Sequence, residues 1–114
     1  MDELSFATNW NQKLDCNCFT TFRLHNPKYQ PGKVFSITLK KKPYKKARVL
    51  EKKTVTLAQV NEFMARVDTG YSRQGFIDIV QKMYITQNLD WNTQTFDFIL
   101  LETVKEAESN AGGI

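Results

Sequence analysis

A hydroxyl and a guanidinium stand two positions apart within residues 13–24, Lys-Leu-Asp-Cys-Asn-Cys-Phe-Thr-Thr-Phe-Arg-Leu. If this segment is a strand, Thr21 and Arg23 share one face, while Phe22 and Leu24 point the other way into a core. A small hydroxyl beside a planar guanidinium suits a phosphate, a carboxylate or a base edge. Cys16 and Cys18 are separated by a single residue, a spacing that disfavours a mutual disulfide. They read as two structural thiols at the start of a strand in a reducing compartment. A zinc site takes about four ligands, and His25 is the only histidine, so no metal set and no cofactor is expected. Cys18 and His25 lie too far apart along one strand to form a nucleophile–base pair. Pro31-Gly32-Lys33 is a turn rather than a phosphate-cradling loop. Asp68, at a helix end beside Gly70-Tyr71, is the acidic candidate. It either caps the next helix locally or faces Thr21 or Arg23 across a cleft.

Charge is concentrated elsewhere. The 16 Lys and Arg against 12 Asp and Glu give a net charge of +4 and a pI near 9.1. Eight of the 16 fall between Lys40 and Lys53: Lys40, Lys41, Lys42, Lys45, Lys46, Arg48, Lys52 and Lys53, opposed there only by Glu51. Lysines on a hairpin can simply protect a sheet edge. Together with the interleaved Tyr44 they can also form a nucleic-acid surface of Lys40, Lys41, Lys42, Tyr44, Lys45, Lys46 and Arg48. Such contacts supply affinity without sequence choice, which would then rest on Thr21 and Arg23. The same lysines could instead dock an acidic protein partner.

These groups need a scaffold. The 114 residues suit one domain over 1–104 with a frayed tail at 105–114. The apolar runs are too short to span a bilayer, and the acidic N-terminus is unlike a signal peptide, so a cytoplasmic protein without a membrane partner is expected. Strands are expected at Leu4–Ala7, 19–24, Lys33–Leu39, Ala47–Thr54 and 95–104, with a short helix over Trp10–Leu14. Phe35, Ile37 and Leu39 should point inward. A basic hairpin should connect at Lys40–Lys46 around Pro43, and the long basic side chains of the strand Ala47–Thr54 should face solvent. Thr56-x-x-Gln59 reads as a capping box for a helix with the core stripe Val60, Phe63, Met64 and Val67, ended by Gly70. Ser72 caps a second helix with the stripe Phe76, Ile79, Val80, Met83 and Tyr84.

Four features in this order resemble an ASCH domain of the PUA-like superfamily. They are Leu4-Ser5-Phe6 followed by Trp10 and Leu14; Thr21-Phe22-Arg23; Tyr29-Gln-Pro-Gly-Lys-Val34; and Asp68-Thr69-Gly70-Tyr71-Ser72 leading into a helix that ends at Tyr84. The second resembles the end of the family motif Gly-x-Lys-Thr-x-Thr/Glu-x-Arg. The resemblance implies an α+β fold, a small PUA-like (ASCH) β-barrel of about five or six strands with two main helices. It also implies RNA binding or recognition of a modified nucleobase, and in some members hydrolysis of acylated cytidines. Thr21 then occupies the nucleophile position and Asp68 lies near the catalytic acid. Cys16, Cys18 and Phe19 depart from the motif, and Cys18 replaces its lysine. Lys13, from the preceding helix, is the candidate to supply that ammonium. The leading expectation is a module that binds RNA, a single strand or a modified nucleotide. A hydrolase of acylated nucleosides and an acidic-partner docking module are the alternatives.

Overall fold

The computed structural model describes residues 1–105. It is an α+β structure in which a five-stranded mixed sheet curls into a half-barrel with two main helices. The strands are β1 (Glu3–Phe6), β2 (Cys18–Leu24), β3 (Val34–Leu39), β4 (Lys42–Thr56) and β5 (Thr95–Thr103), and the helices are α1 (Glu62–Thr69) and α2 (Arg73–Met83). The sheet order is β1-β3-β4-β5-β2; β1 runs parallel to β3 and the other pairs are antiparallel. β1 and β2 are therefore the two edges, and an open seam separates them. A 3-10 segment, Trp10–Asp15, carries the chain from one to the other.

Alternation divides the core in two. Leu4 and Phe6, Phe19, Phe35 and Ile37, Ala47 and Val49, and Ile99 and Leu101 fill the inside of the curl. Phe22 and Phe96 turn outward and pack with Phe76 and Val80 of α2. The Phe22 ring meets Phe76 edge-on at 5.0 Å and stacks on Phe96 at 4.8 Å. The inward positions expected on β3 hold, since Phe35 and Ile37 are buried and Leu39 is partly buried against the same cluster.

The expected Lys40–Lys46 connection is much tighter in the structure. Lys40 and Lys41 alone make the turn, with φ of 52° and 68°, and β4 restarts at Lys42. Two-residue hairpins prefer left-handed backbone at both central positions, which usually selects Asn or Gly, so a Lys-Lys turn carries no local signal. Pro43 is tolerated because β4 pairs only with β3 there, and pairing with β5 begins at Ala47. Of the basic side chains expected in solvent on Ala47–Thr54, that of Lys52 is only 16 % exposed, beside Asp97. Lys45 folds over the Phe19 ring at 4.7 Å and donates to the Cys16 carbonyl and Thr103 Oγ1.

The helix expected to start after Thr56 is also interrupted. The Thr56–Gln59 capping box forms, but it caps a 3-10 turn, Leu57–Gln59, and Val60 is extended. α1 starts two residues later with Asn61 as its cap, whose side chain accepts from Met64 N–H at 2.8 Å. A stripe counted through Val60 therefore has the wrong phase. Phe63 is 75 % exposed and Val67 45 % exposed, while Ala65, Asp68 and Thr69 form the buried face. In α2, Phe76 and Val80 are buried as expected but Met83 is exposed. Ser72 and Gly70 cap as their types demand: Ser72 Oγ accepts from Gly75 N–H, and Gly70 takes φ 82°. The tail expected over 105–114 lies outside the described residues apart from Lys105.

Candidate functional site

The seam between β1 and β2 holds a cavity of about 200 Å³. Its walls come from the end of β1, from Trp10 and Lys13 on the 3-10 segment, from Thr21, Phe22 and Arg23 on β2, from the end of α1, and from α2. Thr21, Arg23 and Asp68 line this one cavity, and Lys13 joins them. Most of the remaining lining is apolar, with Phe6, Phe76, Ile79, Val80 and Met83 around Tyr84.

Arg23 spans the open edge. Its Nε donates to Thr21 Oγ1 at 3.0 Å, and its Nη2 donates across the seam to the Ser5 carbonyl at 2.8 Å. The guanidinium lies over the Phe6 ring, 4.6 Å from its centre. A guanidinium has five N–H donors in a fixed fork, so capacity remains for a ligand. Burial pulls the Arg23 pKa down from its ordinary value, against the opposing influence of Tyr29, Tyr84 and Asp68. Thr21 is buried, and the charge-assisted bond from Arg23 fixes its hydroxyl oxygen.

Lys13 and Asp68 form a buried pair, Nζ to Oδ1 at 2.9 Å, with side chains 8 % and 6 % exposed. The same Oδ1 accepts from Thr20 Oγ1 at 2.8 Å. Asp68 thus contacts Thr20 and Lys13, and not the Thr21 or Arg23 anticipated from its position. The reason is the strand period: α1 packs on the outer face of β2, where Thr20 points, whereas Thr21 and Arg23 point inward. Burial pushes the Lys13 ammonium pKa down; Asp68 restores part of it and the Arg23 charge lowers it further. The 3-10 segment that delivers Lys13 is held locally. Asn9 Oδ1 accepts from Leu14 N–H at 2.9 Å, and Asn11 and Gln12 take φ of 53° and 55°. Asn11 also lies against Gly70, where an added Cβ would come within 3.3 Å of its side chain.

The hairpin residues lie outside the cavity. Lys40, Lys41, Lys42, Tyr44 and Arg48 are exposed, and Lys45 and Lys46 are partly buried. Tyr44 donates its hydroxyl to Asp15. The turn is nonetheless close to the seam, because Lys40 N–H donates to the carbonyl of Phe6, a cavity residue, at 2.9 Å. Cys16 and Cys18 are exposed free thiols.

Sequence reasoning missed Thr20, whose partner lies 48 positions away, and the polar cluster around Asp97 and His25. Among the described residues no group of three or more His, Cys, Asp or Glu is arranged to hold a metal ion, and no helix is long and apolar enough to cross a membrane. No family model, curated protein or solved structure matches the chain.

Proposed function

We propose that this protein is a PUA-like module of the ASCH type that binds RNA or another single strand by taking one nucleotide, standard or modified, into the seam cavity. The observation that carries the reading is the meeting of Lys13, Thr21, Arg23 and Asp68 in one apolar-walled cavity. A cavity of about 200 Å³ is smaller than the 300–1,000 Å³ typical of drug-sized ligand sites and suits a single ring system. Trp10 and Tyr84, both partly exposed in the cavity wall, offer flat surface to an unstacked base. Arg23 and Thr21 offer hydrogen bonds to its edge. The exposed Lys40–Lys42 turn, tied to Phe6 at the end of β1, is placed to take backbone phosphates next to the bound nucleotide.

Calorimetric titration with a panel of ribonucleoside 5′-monophosphates, acylated cytidylate included, tests this against wild type and Arg23→Ala. At least one nucleotide should bind the wild type and bind the variant more weakly by about tenfold or more. Equal binding of every nucleotide to both proteins would refute the role of the cavity.

A second reading, hydrolysis of an acylated cytidine, is favoured by the position of Lys13. Cys18 replaces the lysine of the ASCH motif, and Lys13 brings an ammonium of lowered pKa into the same cavity. In its neutral form that amine would accept the Thr21 hydroxyl proton as Oγ1 attacks the acyl carbon. The proton would pass to the departing cytosine amine, and water would then release the acid from the threonine ester. Turnover of an acylated cytidine by wild type and not by Thr21→Ala supports this chemistry; equal turnover by both rejects it.

A further inference from the structure

Asp97 lies in the middle of β5 with 0 % exposure, and the seam cavity makes no use of it. An unpaired carboxylate in that position would be costly. This one accepts from the Asn26 backbone N–H at 3.0 Å and from Thr54 Oγ1 at 2.7 Å. His25 Nδ1 lies 3.0 Å and 3.2 Å from its two oxygens, and Lys52 Nζ is 3.7 Å away. Burial raises its pKa, but the bonds from His25, Asn26 and Thr54 and the Lys52 charge outweigh this, and the net shift is downward. The carboxylate is therefore ionised and purely an acceptor, so His25 Nδ1 carries the hydrogen in their bond.

That bond sets the ring. With Nδ1 turned to Asp97, Nε2 points away from it, on a side chain that is 41 % exposed. Carboxylates orient functional imidazoles by this kind of contact. A protonated His25 together with Lys52 would place two positive charges around one negative, on side chains 41 % and 16 % exposed. Arg23 and Asp97 are register partners, and His25 follows Arg23 by two residues, just past the end of β2. His25 is thus about 7 Å along the chain from the cavity residue Arg23, close enough for one nucleotide to reach both.

We propose that His25 and Lys52, held by the buried Asp97, form a phosphate-binding site in which His25 Nε2 is the outward-facing contact. The site deepens the nucleotide reading, on which its biological use rests, because it would engage a phosphate attached to the base in the seam. The phosphate is either the terminal group of a free nucleotide or a backbone phosphodiester. The charged groups in the His25 cluster are Asp97 on β5 and Lys52 on β4. Tyr29 is near enough to feel both Arg23 and Asp97.

The imidazole nitrogen resonances of His25 can be followed by NMR while inorganic phosphate is added, with sulfate as the second probe. Both anions should move Nε2. His25→Gln and Lys52→Gln should each weaken sulfate binding by about tenfold. Nitrogen resonances unmoved by either anion, or a sulfate affinity unchanged in both variants, would overturn the site. Cytidine and cytidine 5′-monophosphate separate this failure from failure of the cavity. Equal affinities refute the phosphate site and leave the cavity standing, whereas no binding of either, with phosphate still moving Nε2, refutes the cavity alone. A short single strand lacking a terminal phosphate that still moves Nε2 assigns the contact to the backbone; no movement assigns it to the terminal group.

Discussion

The seam cavity and the β3–β4 turn both present cations, yet they hold them differently. Lys13 and Arg23 are held by the fold: one is paired to a buried carboxylate, the other is bonded to Thr21 and Ser5 and stacked on Phe6. Lys40, Lys41 and Lys42 are exposed on a two-residue turn and the start of β4. Fixed cations in a low-dielectric wall can select a ligand, because their partners must match them in position as well as in charge. Exposed lysines attract any phosphate and are screened by salt. On the proposed reading, affinity and choice therefore belong to separate parts of the molecule.

The largest effect expected is on the buried pair. Lys13→Met leaves Asp68 with only Thr20, which should cost about 3–5 kcal/mol in urea unfolding, and adding Asp68→Asn should recover most of that. A small loss would mean that the seam side of the comparison is not held as described. The pH dependence has a definite sign. Because the folded state lowers the Lys13 pKa below its ordinary value of 10.5, the unfolded chain binds more protons between the two values, and stability should rise with pH across that window. Lys13→Met should flatten the rise, and a slope that survives unchanged would contradict it.

Arg23→Ala should weaken nucleotide binding by about 10- to 100-fold, with Arg23→Lys intermediate because an ammonium keeps the charge but loses the fork. Replacing Lys40, Lys41 and Lys42 together with Gln should reduce affinity for a short single strand across sequences. It should also lower the slope of log affinity on log salt by about 0.7 for each phosphate that no longer meets a lysine, while mononucleotide affinity stays the same. If the triple variant instead abolished mononucleotide binding, the division between choice and affinity would collapse. The smallest effect is expected at Phe63, where Phe63→Ala should change stability by no more than about 0.5 kcal/mol, since the ring is 75 % exposed. A loss of about 3 kcal/mol would restore it to the core.

Local rules make part of this legible in the sequence. Alternation at Phe35 and Ile37, left-handed backbone at Gly70, and the Ser72 cap depend on neighbours within a few residues. The shared face of Thr21 and Arg23 follows from the strand period. What escapes depends on distant or context-dependent geometry. Lys13 and Asp68 meet across 55 positions, and nothing near either residue announces the other. The exposed face of α1 escapes because the helix begins after Val60, so periodicity carried through a break in the backbone assigns Phe63 and Val67 to the wrong side. Asp97 sits among apolar residues in a strand pattern, and only the sheet brings His25, Lys52 and Thr54 to it.

The central claim is that recognition belongs to the seam rather than to the lysine turn. Backbone-amide chemical-shift mapping during titration of cytidine 5′-monophosphate tests it most directly. The account predicts perturbations centred on Phe6, Lys13, Thr21, Arg23 and Tyr84, unchanged in the triple-lysine variant. Perturbations confined to residues 40–48 and lost in that variant would contradict it.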